Sequence, residues 1–228
     1  MRLHLNEVKI EDQKSKGTFN FYKGNALAST EEILSRMSGV NLTKRGAFGQ
    51  EPGLRAYNGT QINLTINGMK MYGACTDKMD PVSIYVEPNN LKEFNVHQGN
   101  EGSSMGNSIG GLIDMKLAEP VFNCHKTLNV KWSNVYQTVN NSLNESINFH
   151  GNIKNFAYRI SGVLRHADSY RSGGNQIISN SYYTKYNTSI NLAYKINEKH
   201  FLKFDYIGDW GRDIGFPALS MDVGKANA

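Results

Sequence analysis

The chain has 228 residues, with 25 Lys and Arg against 20 Asp and Glu, a formal charge of +5 and a mean hydropathy of −0.50. That length fits one large domain or two ordinary ones. No run of 18 apolar residues exists, which excludes a transmembrane helix, and 11% aromatic residues with near-balanced charge exclude wholesale disorder. The 27 Asn, 12 Tyr and 22 Gly point instead to a β-rich chain with many polar positions. A strand-built membrane protein, with one polar and one apolar face, shares that composition. The basic residues are scattered (Lys14, Lys16, Lys44, Arg45, Arg165, Arg171) and form no stripe, so nucleic acid is not an expected partner. The opening Met1 to Lys16 has no apolar core and is not a signal peptide.

Taken in order, the first clear element is a helix in Ser29 to Gly39. Ser29 is its cap, Glu32 the capping-box partner and Gly39 the stop, with Ile33, Leu34 and Met37 as its apolar face. Short strands follow at Val40 to Thr43, Gln61 to Ile66 and Phe94 to His97, and Asn67-Gly68 signals a tight turn. From about residue 121 the texture changes. Tyr182, Thr184, Tyr186, Thr188, Ile190, Leu192, Tyr194 and Ile196 alternate with Tyr183, Lys185, Asn187, Ser189, Asn191, Ala193 and Lys195. A period of two held that long is a strand with one apolar and one polar face. The same pattern in Phe156 to Leu164 and Leu202 to Gly208 gives five strands, at about 127–139, 145–153, 156–167, 181–196 and 200–211.

The connections alternate too. Lys154-Asn155 and Asn197-Glu198-Lys199 are very short, residues 168–180 form a long loop, and another long stretch begins at Gly211. Outer-membrane barrels alternate short periplasmic turns with longer external loops. A soluble sandwich is the competing reading, but its strands have a mode of only about 5–6 residues.

Four stretches then carry a family resemblance: Thr30 to Leu42, Gly53 to Met69, Asn89 to Gly99 and Met105 to Leu117. In order and spacing they resemble the plug domain of TonB-dependent outer-membrane receptors. Gly106 to Leu117 looks like the plug's closing Gly-rich strand pair, Arg55 stands where the family has Arg-Gly, and Asn67-Gly68 where it has Asp-Gly. Ser38-Gly39-Val40 replaces the usual Pro-Gly-Val, Asn95-Val96 the usual Glu-Val, and Ala56 the Gly after Arg55. The resemblance implies a mixed fold: an α+β plug domain followed by the first antiparallel strands of a transmembrane β-barrel of 22 strands. The expected divisions are 1–27, an N-terminal segment; 28–120, the plug; and 121–228, the first five or so barrel strands. Five strands cannot close a barrel, so the chain is expected to be a fragment. Leu5, Asn6, Glu7, Val8, Lys9 and Ile10 resemble the TonB box, which pairs with its energiser by adding a strand to a sheet; an ordinary first plug strand is the alternative. The implied location is the bacterial outer membrane, with the TonB energising complex, outer-membrane lipid and a metal cargo as partners.

One stretch stands apart. Met69, Met71, Cys75 and Met79 place four sulfurs in eleven residues. On a helical turn, residues four apart share a face, so Cys75 and Met79 would meet one ion there. Thiolate with thioether is a soft pair that selects Cu(I). The segment is similar to the plug apex of TonB-dependent copper receptors, which implies Cys75 and Met79 as ligands to a copper ion; no His-x-Met occurs in the chain, so the other half of such a site is missing or different, and the outward strand count places Met221 in an outer loop as a neighbour. A disulfide between Cys75 and Cys124, an inert thiol, and core gap-filling by Met69 and Met71 are the alternatives. The six His (4, 97, 125, 150, 166 and 200) show no mutual metal spacing, and no catalytic constellation stands out, so no enzyme is expected. A receptor for a siderophore, cobalamin or oligosaccharide, or a loop-based surface binding module, are the competing functions.

Overall fold

The computed structural model describes residues 19–217, except 22, 24–27, 45, 47, 74, 77, 100–105 and 123–126. Helix α1 is Thr30–Leu34, and the Ser29 hydroxyl accepts from the Glu32 N–H at 3.1 Å as its cap. The helix is shorter than its sequence signal. After Leu34 the chain tightens to three-residue hydrogen bonds, Arg36 N–H to Ile33 and Met37 N–H to Leu34, and Gly39 turns it away at φ 76°. Ile33, Leu34 and Met37 are buried, as their spacing requires.

Strands β1 (Val40–Lys44) and β2 (Gln50–Leu54) form an antiparallel pair. Strands β3 (Ile62–Ile66), β4 (Met69–Lys70), β5 (Leu91–Gln98) and β6 (Gly111–Leu117) form a mixed sheet in the order β4-β3-β6-β5. Asn67 and Gly68 link β3 to β4 with φ 51° and 78°, the paired positive angles of a type I′ turn. Buried Asp114 on β6 holds that turn: its Oδ1 accepts from Thr65 Oγ1 at 2.7 Å and from the Gly68 N–H at 2.8 Å, and Lys116 pairs with Oδ2 at 2.8 Å. Ile33, Leu34, Leu54, Leu91, Ile113 and Met115 are fully buried between the helix and this sheet.

The second sheet is a five-stranded antiparallel meander: β7 (Asn129–Gln137), β8 (Ser142–Ile153), β9 (Phe156–Ala167), β10 (Tyr183–Lys195) and β11 (Phe201–Arg212). The alternation located all five. β8 starts three residues before its expected position, because Ser142, Leu143 and Asn144 pair with Gln137, Tyr136 and Val135 across a tight turn.

Its two faces are inverted relative to a soluble sheet. Asn144, Ser146, Asn148, Ser161, Arg165, Lys185, Asn187, Ser189 and Asn191 are buried, facing the first sheet's domain. Trp132, Ile147, Phe156, Ile160, Tyr186, Phe204 and Trp210 are exposed on the other side. Register makes that face continuous: Val130, Phe149, Ile160, Ile190 and Tyr206 are successive direct partners across all five strands. An apolar band with aromatic side chains on the outside and polar residues inside is the pattern of a barrel wall facing lipid. Among the described residues no helix is long and apolar enough to cross a membrane.

Candidate functional site

Two features dominate the space between the first sheet's domain and the strand wall. The first is a polar seam. Residues 82–90 run in two single 3-10 turns, Val82–Tyr85 and Pro88–Asn90, which leave several backbone carbonyls without partners inside the segment. Wall side chains take them up. Lys185 Nζ donates to the Ile84 carbonyl, Asn187 Nδ2 to Tyr85 O at 3.0 Å and Arg159 to Asn89 O at 2.8 Å. Asn90 completes the seam, donating to Asn187 Oδ1 at 3.3 Å and accepting from Ser161 Oγ.

Glu87 sits at the centre of this seam and is 3% exposed. Arg165 Nε donates to its Oε2 at 2.9 Å, and Lys185 Nζ donates to its Oε1 at 2.7 Å. Arg165 also reaches the Ala28 carbonyl at 2.9 Å, which ties α1's entry to the same point. Burial alone would raise the Glu87 carboxyl, but Arg165 and Lys185 outweigh it and hold the acid down to about 2. The carboxylate is therefore charged at any physiological pH, and the arrangement is a clasp rather than a proton-transfer device.

The second feature is the sulfur loop, residues 71–81. The expected helical turn between Cys75 and Met79 is absent. The Lys78 N–H donates to Cys75 O at 3.2 Å, closing a turn, and Lys78 adopts φ 58°, which no helix contains. Cys75 and Met79 thus flank a non-helical turn. Cys75 is a free, half-buried cysteine whose N–H donates to Asp80 Oδ1 at 2.9 Å, while Asp80 Oδ2 accepts from Tyr85 OH at 3.1 Å. Asp80 thereby braces the loop against the seam segment. Gly49, at φ 66°, lies so close that a Cβ there would sit 2.7 Å from Met79 O, so the loop is also seated on β2's entry.

Met69 and Met71 are exposed, at 59% and 40%, which corrects the gap-filler reading. A small cavity of about 70 Å³ opens beside the loop, lined among others by Glu51, Leu64, Met71, Lys78 and Asp80; Cys75 and Met79 lie outside its lining. Among the described residues no three His, Cys, Asp or Glu side chains cluster as a metal site. Met221, Cys124 and the stretch Leu5 to Ile10 lie outside the described residues.

Residues 22–112 match the family described as TonB-dependent Receptor Plug Domain. This segment is a TonB-dependent receptor plug. No curated protein matches the chain. Among solved structures, the chain is similar to "Copper transporter OprC", at 20% identity and TM-score 0.73, over 83% of this chain and 29% of that one. The FrpB iron transporter from Neisseria meningitidis (F3-3 variant) matches at 14% identity and TM-score 0.67, over 81% and 31%. The ferric enterobactin receptor PfeA in complex with BCV-L6 matches at 18% and 0.58, over 81% and 32%. At these identities the likeness is one of fold, and the chain spans less than a third of each of these proteins.

The plug's seam was missed in the sequence. Glu87 is one acid in an irregular stretch, and Arg165 and Lys185 read as members of a polar strand face. The available signal was that two charges alternate with small polar residues on the face away from the aromatics, where a charge needs a partner.

Proposed function

We propose that this chain is the plug and the first strands of the 22-stranded barrel of a TonB-dependent outer-membrane transporter whose cargo is copper. The plug match supports the transporter part of this reading, and the inverted sheet supports its seat in lipid. Leu5 to Ile10 serve as the TonB box, and Cys75 and Met79 hold the cargo. The observation that carries the cargo assignment is the free, half-buried thiol of Cys75, four residues from Met79 in a loop that Asp80 holds in place. A thiolate supplies charge and a thioether supplies softness, and together they favour Cu(I) over harder ions. Zn(II) competes poorly, because it seeks thiolate and imidazole rather than thioether. The chain's similarity to a protein whose name is copper transporter is in keeping with this assignment.

A second reading is a receptor for iron or a siderophore, since similar structures carry those names as well. A competition titration against a chromophoric Cu(I) chelator separates the two. With the chain refolded in detergent, Cys75→Ser is expected to weaken Cu(I) binding strongly and Met79→Leu less. Unchanged affinity in Cys75→Ser favours the other cargo.

A further inference from the structure

A second cluster lies on the plug-facing side of β7, β8 and β9, apart from both the Glu87 clasp and the sulfur loop. Lys131 on β7 is the direct partner of Asn148 on β8, and His150 on β8 is the direct partner of Arg159 on β9. Direct partners share a face, and Asn148 is buried against the plug, so Lys131, Asn148, His150 and Arg159 all point inward. The plug adds Lys23. Its Nζ donates to the Leu91 carbonyl, two residues along from Asn89, whose carbonyl accepts from Arg159. Burial, then the charges of Arg159 and Lys131, hold the Lys23 ammonium down to about 8.

These groups are short of acceptors. Arg159 Nε and Asn148 Nδ2 are both buried without a hydrogen-bond partner. The acceptor end of Asn148 is turned to His150 Nδ1 at 3.2 Å, which leaves its amide NH2 unused. Asn148 is 6% exposed, so solvent does not take that role. Among the described residues no carboxylate pairs with Lys23, Lys131 or Arg159. Buried donors without acceptors are costly, and three cations with no carboxylate partner among the described residues repel one another. This is the reverse of the Glu87 clasp, where Arg165 and Lys185 both meet a carboxylate.

We infer that this cluster is a binding site for a free tetrahedral oxyanion of the phosphate or sulfate class. The donors come from three adjacent strands on one side and from the plug on the other. A tetrahedral ion offers oxygens in several directions, whereas a carboxylate offers two in a plane. Lys131 is exposed and Arg159 and His150 are half-buried, so the ion enters from the solvent side of the inner wall. A bound anion here adds a further tie between plug and wall, made of solute rather than side chain.

The test uses the whole chain refolded in detergent, titrated with inorganic phosphate at constant ionic strength set by chloride. Phosphate is expected to raise the thermal midpoint and to bind in calorimetry, with chloride inactive. Lys131→Met is expected to weaken phosphate about tenfold, as loss of one charge-assisted bond does. Asn148→Asp keeps volume and supplies a built-in anion. It is expected to fold, to be more stable than the parent without phosphate, and to lose the phosphate response. Cys75→Ser is expected to leave that response intact. No phosphate effect in the parent chain, or an equal effect in Asn148→Asp, would overturn the assignment.

Discussion

Arg165 on β9 and Lys185 on β10 are direct cross-strand partners, two buried cations side by side on the inner face of the wall. Like charges placed opposite one another destabilise a sheet. Here the plug resolves the conflict: Glu87 gives one carboxylate oxygen to each cation. The wall is therefore built to need the plug at this point, and Glu87 is the one plug residue that meets both cations.

Glu87→Gln keeps the shape and removes the charge, which leaves Arg165 without its acid and Lys185 with only Asp209, at 3.4 Å. Breaking a buried pair from one side costs about 3–5 kcal/mol. A loss of that size is expected in denaturant unfolding in detergent, together with faster proteolysis of residues 82–90. Unchanged unfolding would mean that the carbonyl contacts alone hold the seam.

The same acid sets a pH limb. Its folded value is depressed from 4.5 to about 2, so its contribution is full above the unfolded value and is lost as pH falls through the folded one. The shift corresponds to stability on the order of 3 kcal/mol. Thermal midpoints taken from pH 5 down to pH 2 are expected to fall in the parent and to be flatter over that window in Glu87→Gln.

The outer face makes a separate prediction. Ile160 lies on the row from Val130 to Tyr206 and is the fifth of the 12 residues of β9, near mid-strand. Ile160→Lys places a charge in lipid, which costs about 2–4 kcal/mol at the midplane of a bilayer. Folding into liposomes is expected to suffer by that amount, while Thr184→Lys, near the strand end, is tolerated. Equal tolerance at both positions would contradict a lipid-facing wall.

Loop bracing gives a prediction about reactivity. Asp80→Ala removes the acceptor of both the Cys75 N–H and the Tyr85 hydroxyl. Thiol labelling of Cys75 is expected to accelerate severalfold, on the scale of one or two lost hydrogen bonds of about 1 kcal/mol each.

The wall was legible in the sequence because a period of two is a direct imprint of a sheet with unlike faces, and Tyr182 to Ile196 carries it without a break. The cap of α1 was legible in Ser29, whose hydroxyl has one local task. β2 was not, since Pro52 and Gly53 sit inside it; a proline is tolerated there because the pair β1–β2 leaves β2 a free edge. The seam was illegible for a different reason. Glu87 lies 78 residues from Arg165 and 98 from Lys185, and nothing local announces a partnership made only when two sheets meet. The helical geometry expected at Cys75 is broken at Lys78, whose left-handed backbone no spacing rule foresees.

Copper held by Cys75 and Met79 is tested most directly by X-ray absorption at the copper edge of the Cu(I)-loaded chain. Two sulfur neighbours are expected in the parent, one fewer in Met79→Leu, and loss of the bound ion in Cys75→Ser. A first shell of nitrogen and oxygen alone, or sulfur scattering unchanged in both variants, would contradict it.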